Sequence, residues 1–212
     1  MTPSLARGLM LALLLALPPG CGAVRSLNAA ATTLDTFELE PAANVPSSGR
    51  TSRTLAIEVP RASAAVATER ILVKPNPLAV TYLPDARWVE PAPAHVQWLL
   101  IRSIAATGRT GGVGGGGSGA LPDYDLLPSL DAFEAVITPN GPSPVRIDVA
   151  LTLTLVRGID GRMVGSRSFH GSFGAASTEA GAVVSAFNVA MQGVLRDAAA
   201  WTLAAMAGGG SA

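Results

Sequence analysis

From Val145 to Val156 the chain alternates without interruption. Val145, Ile147, Val149, Leu151, Leu153 and Leu155 fall on one side, and Arg146, Asp148, Thr152 and Thr154 on the other. Successive strand side chains point to opposite faces, so this is a long strand with one dry and one wet face. Such a strand needs neighbours in a sheet and an apolar layer over one face only. Asp160-Gly161 supplies a hairpin turn. Arg162 to Phe173 is then the return strand, with Arg167 placed unexpectedly on the side of Met163 and Phe169.

Two segments supply the covering layer. Pro91 to Thr107 predicts a helix, with prolines confined to the start, Val96, Leu100 and Ile104 on one face, and Gly108 ending it. Thr178 to about Met206 predicts a longer helix capped by Ser177 or Thr178, with Phe187, Met191, Val194, Ala198 and Trp201 at helical spacing. Shorter strands are expected at Phe37 to Glu40, Thr54 to Val59, Ile71 to Val73 and Ala79 to Leu83, and a further one over Leu121 to Ile137, broken or bulged at Pro128. Ser63 to Glu69 suits a single short helix, and Pro41 to Arg53 a loop. The order of strands, helix, antiparallel strands and helix predicts an α+β fold: one mixed, largely antiparallel sheet with two main helices on one face.

The glycine run from Gly111 to Gly119 formally fits G-x-G-x-x-G. A phosphate-binding loop of that kind must follow a strand and open a helix. Here the run follows a helix and leads to Pro122, so it is expected to be a mobile loop. His95 and His170 have no Cys, Asp or Glu at metal-ligand spacing and read as surface or edge residues. No serine occupies a G-x-S-x-G elbow, and Asp123, Asp125, Asp131 and Glu134 form no recognisable acid/base frame. No enzyme, cofactor or metal is expected. Net charge is zero with 14 % charged residues, which excludes the basic stripe of a nucleic-acid binder. Trp88 and Trp98 are expected to anchor core or interface rather than a ligand cage. The last helix spans about 40 Å, more than a small domain's sheet is expected to cover. Trp201, Leu203 and Met206 are therefore candidate interface residues, toward a second copy or another protein.

Residues 1–20 are an address. Arg7 provides a positive start, and Leu9 to Leu17 is apolar but too short to span a bilayer. Pro18-Pro19-Gly20-Cys21 follows and resembles the lipobox of bacterial lipoproteins, with Leu17 and the two prolines off the usual pattern. An ordinary cleaved signal leaving a soluble protein and a start codon chosen too early are the competing readings. Cys21 is the only cysteine, so no intrachain disulfide can form, and lipidation is its expected use. Gly22 stands where an inner-membrane retention signal usually has Asp, which by resemblance favours the outer membrane. The expected divisions are a signal over 1–20, a lipidated spacer over 21–35, a domain over 36–198, and a helix end with Gly-rich tail over 199–212.

One stretch goes beyond patterning. Leu55 to Pro60, Arg70 to Lys74, Tyr82-Leu83-Pro84-Asp85-Ala86-Arg87-Trp88, and Pro91 with its helix resemble the ABC-type transport auxiliary lipoproteins. These are companions of MCE (mammalian cell entry) lipid-transport systems, and the paraquat-inducible lipoprotein is one branch. Asp123-Tyr124, Phe133, Val156-Arg157, Asp160-Gly161 and Phe187 continue the likeness, which covers roughly residues 37 to 198. Where that family follows its first helix with an ordinary strand, this chain has its glycine run, so an edge strand is expected to be missing or shifted. The resemblance implies a non-catalytic periplasmic lipoprotein that assists an ABC permease/ATPase complex and an MCE-domain protein in moving lipid between membranes. An outer-membrane assembly or secretion lipoprotein, or a soluble periplasmic small-ligand binder, are the alternative readings.

Overall fold

The computed structural model describes residues 34–46, 50–117 and 121–208. The predicted signal, Cys21 and most of the spacer lie outside them. Nine strands and two helices occur among the described residues: β1 Asp35–Phe37, β2 Thr54–Ile57, β3 Arg61–Ala62, β4 Arg70–Asn76, β5 Ala79–Trp88, α1 Ala92–Ala105, β6 Gly112–Gly115, β7 Tyr124–Ile137, β8 Val145–Arg157, β9 Met163–Ala175 and α2 Ala180–Gly208. The α+β class is as expected: one mixed sheet with both helices.

β7 organises the sheet. One edge pairs antiparallel with β8, which pairs antiparallel with β9. Along the other edge β2, β3 and β4 line up in succession, all parallel to β7. β6 extends the sheet beyond β2, and β5 followed by β1 extends it beyond β4. The odd-numbered residues of β8, Val145 to Leu155, are buried as their alternation requires.

β7 changes parity within its length. Tyr124, Leu126, Pro128 and Leu130 are buried, then Phe133 and Ala135. Alternation would break at that point, but a bulge between Leu130 and Ala132 leaves Asp131 without a partner on β8 and resets it. The irregularity expected at Pro128 therefore falls three residues later. The Asp131 carboxylate holds it, accepting from Ser129 Oγ and Thr152 Oγ1, both at 2.6 Å.

The glycine run is a correction. Gly112–Gly115 is not a loop but a strand, pairing parallel with β2 from Thr54↔Gly112 to Ile57↔Gly115. The edge strand expected to be missing or shifted is thus present, made of three glycines and Val113. A Cβ at Gly111 would collide with the Ser52 carbonyl, so the close approach there requires glycine. α1 lies over this edge, with Gln97 Nε2 donating to the Ile57 carbonyl at 2.7 Å. Residues 63–69 form turns rather than the expected short helix.

α2 is a second correction. Its 29 residues span about 44 Å. β7, β8 and β9, of 14, 13 and 13 residues, span about the same. The sheet covers the helix end to end, because the hairpins are long. Leu203 is 4 % and Met206 1 % exposed, so both are core residues rather than projecting interface anchors. Trp201 is half-buried, edge-on to Phe169 at 6.0 Å and above Gly165. Gly171 lets β9 approach the helix, since a Cβ would lie 2.6 Å from the Ala190 carbonyl oxygen. The odd placement of Arg167 has a simple cause: β9 is an edge strand, and there the guanidinium stays exposed over the Phe169 ring at 5.5 Å.

Candidate functional site

The most distinctive sequence segment, Tyr82 to Trp88, lies where β5 leaves its partner's register. Leu72 pairs with Tyr82 and Arg70 with Arg87, so β5 carries extra residues between those points. Asp85 sits in this bulge with φ 54°, a conformation non-glycine residues avoid unless the surroundings impose it. The bulge delivers Trp88 into the core. Its N–H donates to the Glu69 carbonyl at 2.7 Å. Its ring stands edge-on to Phe187 at 5.2 Å and 5.4 Å from Phe133, and those two phenylalanines lie 4.9 Å apart. Trp88 is a core anchor, while Trp98 is partly exposed beside Arg102.

Next to this cluster an irregular strap, Leu39 to Ala42, runs between the two helices. Leu39 N–H donates to His95 Nε2 at 3.0 Å, and Ala42 N–H to Ser103 Oγ at 2.9 Å, both side chains from α1. Glu40 N–H donates to Asn188 Oδ1 at 3.0 Å. Gln192 Nε2 donates to the carbonyls of Glu40 and Pro41 at 2.9 and 3.0 Å, both side chains from α2. Every one of these bonds joins the strap's backbone to a helix side chain. An extended segment without a strand neighbour has its polar groups satisfied this way.

His95 is consequently buried, not the surface or edge residue expected. Because Nε2 accepts from Leu39, the ring proton belongs on Nδ1, which faces Glu90 Oε1 at 3.6 Å. Burial lowers its pKa from the ordinary value, opposed by the charge of Glu90. His95 serves as a neutral acceptor for the strap. His170 is exposed on the edge strand β9, as expected. The signal for the clasp was present in the sequence: His95, Leu99 and Ser103 follow at i, i+4 and i+8, two polar residues on an apolar stripe. Asn188 and Gln192 repeat that i, i+4 spacing on α2.

Three of the four carboxylates noted in the sequence are engaged separately. Asp123 accepts from Thr54 N–H at 2.8 Å and from Arg53 at 2.7 Å, and these bonds hold its pKa below the ordinary range. Asp131 fastens the bulge, and Glu134 pairs with Lys74 at 2.9 Å. No cluster of three or more His, Cys, Asp or Glu suited to a metal occurs among the described residues. None of their helices is long and apolar enough to cross a membrane. A groove of about 770 Å³ opens between the β5 bulge, the end of β7 and the start of α2. Its floor is aliphatic and its rim carries Asp35, Asp85 and Glu179.

A one-sheet α+β domain whose N-terminal strap is clasped by both helices is the class these features define. The chain belongs to the family described as ABC-type transport auxiliary lipoprotein component, which matches residues 33–199. Membership makes it a membrane-anchored periplasmic lipoprotein of transport systems. Its fold is similar to the crystal structure of protein XCC0632 from Xanthomonas campestris, assigned to DUF330. The two are 22 % identical, with a TM-score of 0.72 over 84 % of this chain and 100 % of that one. It is also similar to an uncharacterised protein at 14 % identity, TM-score 0.54, over 81 % of this chain and 99 % of that one. The hypothetical protein CT253 from Chlamydia trachomatis matches at 9 % identity and TM-score 0.51, over 74 % and 98 %. No curated protein matches the sequence.

Proposed function

We propose that this chain is the non-catalytic auxiliary lipoprotein of an ABC transporter with an MCE substrate-binding subunit, and that it assists in moving lipid between the inner and outer membranes. Its anchor is lipid on the Cys21 thiol, after removal of residues 1–20. Gly22 in place of Asp directs it to the outer membrane. Residues 21–35 are the tether, 36–198 the working domain, and 199–212 the helix end and tail.

The clasped strap is the observation that carries this reading. A tether from a membrane enters the domain at β1 and passes at once into Leu39 to Ala42, which bonds to both helices. The point where the tether joins the domain is thereby fixed to the rigid core, as suits a domain that works while held near a bilayer.

Two measurements test it together. An epitope-tagged chain should co-purify with an MCE-domain protein, a permease and an ATPase. Cys21→Ser should abolish incorporation of radioactive fatty acid and release the protein from the membrane fraction. Co-purification with secretion or outer-membrane assembly components instead, or unchanged membrane association without label in the parent, overturns the reading.

A further inference from the structure

Two ends of the domain carry unmatched surfaces of opposite character. At one end is the groove, with half-buried Leu83 and Ile137 and buried Val183 in its lining. Its rim carboxylates, Asp35, Asp85 and Glu179, have no side-chain hydrogen bond or ion pair among the described residues. Asp85 is held there in a backbone conformation that costs energy. At the other end is the β8–β9 turn. Ile159 is 89 % and Met163 67 % exposed. Arg157 precedes them and Arg162 lies between them, and among the described residues the one carboxylate paired with either is Asp160, 3.6 Å from Arg157.

The two ends cannot satisfy one another within a single chain. β8 starts at Val145 in the groove wall and ends at Arg157 beside the turn. Twelve residues of strand separate them by about 40 Å. Both halves of a complementary contact are nevertheless written on the same polypeptide: an aliphatic tip with surplus arginine, and an aliphatic cleft with three free carboxylates.

We propose that the β8–β9 tip of one copy seats in the groove of the next, so that the protein assembles head to tail. Ile159 enters the aliphatic floor, and Arg162 meets the carboxylate rim. Such a contact is heterologous, because it joins two different surfaces. It therefore generates a ring where the rotation between copies closes and a filament where it does not. This inference concerns the chain's own assembly and stands whichever transporter it serves.

Cross-linking in intact cells tests it with the full-length protein. Ile159→Cys combined with Thr178→Cys, treated with a short bismaleimide, should give a ladder of dimers and higher species. Each single variant alone should give none, and the two singles co-expressed should give dimer only. Arg162→Glu and Glu179→Lys should each cut the cross-linked fraction about tenfold, as like charges meet. The pair together should restore most of it. Unchanged melting temperature shows that each variant is folded. No ladder from the folded double-cysteine variant overturns the proposal, as do cross-links from Ile159→Cys alone. Charge variants without effect overturn it equally, as does shielding of the thiol in Ile159→Cys by a bilayer without a ladder.

Discussion

The two halves of this sheet are held in different ways. Around β8, β9 and α2, apolar side chains at strand and helix spacing bury one another along matched lengths of about 44 Å. Around β2, β6, α1 and the strap, buried Leu39, Leu55, Ile57, Val96, Leu100 and Ile104 also pack together, but polar bonds and missing side chains are added at the joints. His95, Ser103 and Gln97 each bond a backbone group of another element, Asp123 caps the start of β2, and glycines make the edge. The first half gains stability from area removed from water. The second adds to its buried area a set of individual bonds, each costly to leave unmade but modest in net worth. The first half should therefore fail by large steps and the second by small, specific ones.

The largest effect should come from the apolar half. Phe187→Ala removes a ring that touches both Trp88 and Phe133 and should cost about 3–5 kcal/mol in chemical unfolding. Trp201→Ala should also lower stability, by somewhat less because the ring is half-buried. A Trp201→Ala protein that melts unchanged would break the comparison, since it would free that residue for an external partner.

The glycine edge offers a finer test. Gly111→Ala places a methyl against the Ser52 backbone carbonyl and should cost about 1–3 kcal/mol. Gly112→Ala meets only the Thr54 methyl at 3.8 Å and should be nearly neutral. Equal melting temperatures for the two variants would show that β6 does not pair as described.

The smallest effect should come from His95 through pH. Its folded pKa lies below the ordinary 6.5, so the unfolded chain takes up a proton first as pH falls. Stability from this group is full above about pH 6.5 and declines below it as pH approaches the folded value. Protonation also puts a hydrogen on Nε2, where Leu39 N–H now donates. In His95→Gln the part of the melting-temperature decline that begins near pH 6.5 should disappear, and hydrogen exchange at Leu39 should become independent of pH in that range after correction for intrinsic rates. An unaltered pH profile would remove His95 from the clasp.

This contrast also explains what could be read from the sequence. Val145 to Leu155 and the Phe187 to Trp201 series announce themselves because burial repeats at a fixed period. Trp88 is legible as a core or interface anchor because it is a large aromatic side chain close to a helix start. Gly112 to Gly115 carries only one side chain, Val113, so no period exists to be read, and the strand is identified by what it pairs with. His95 resembles a surface residue in the sequence because its partner is a backbone amide 56 positions away. The overreach at Leu203 and Met206 comes from underestimating the hairpins, whose length depends on the Asp131 bulge keeping β7 in phase with its partner. The groove is invisible as a unit, since Asp35, Asp85 and Glu179 are brought together only by the fold.

The line of parallel strands along β7 has a consequence for how the molecule forms in time. Leu55 pairs with Tyr124, 69 positions later, and Val73 pairs with Ala135. A chain delivered N-terminus first presents β2, β3 and β4 long before the strand that joins them has emerged. The β7–β8–β9 meander, by contrast, closes through short turns between neighbours. Loop closure over long separations must precede its reward, and such pairing is slow. The meander is thus the natural nucleus, and the earlier segments add to its edge last. Until then their open backbone invites pairing with other chains. A periplasmic holding chaperone should bind the segment from Thr54 to Trp88 most strongly during export.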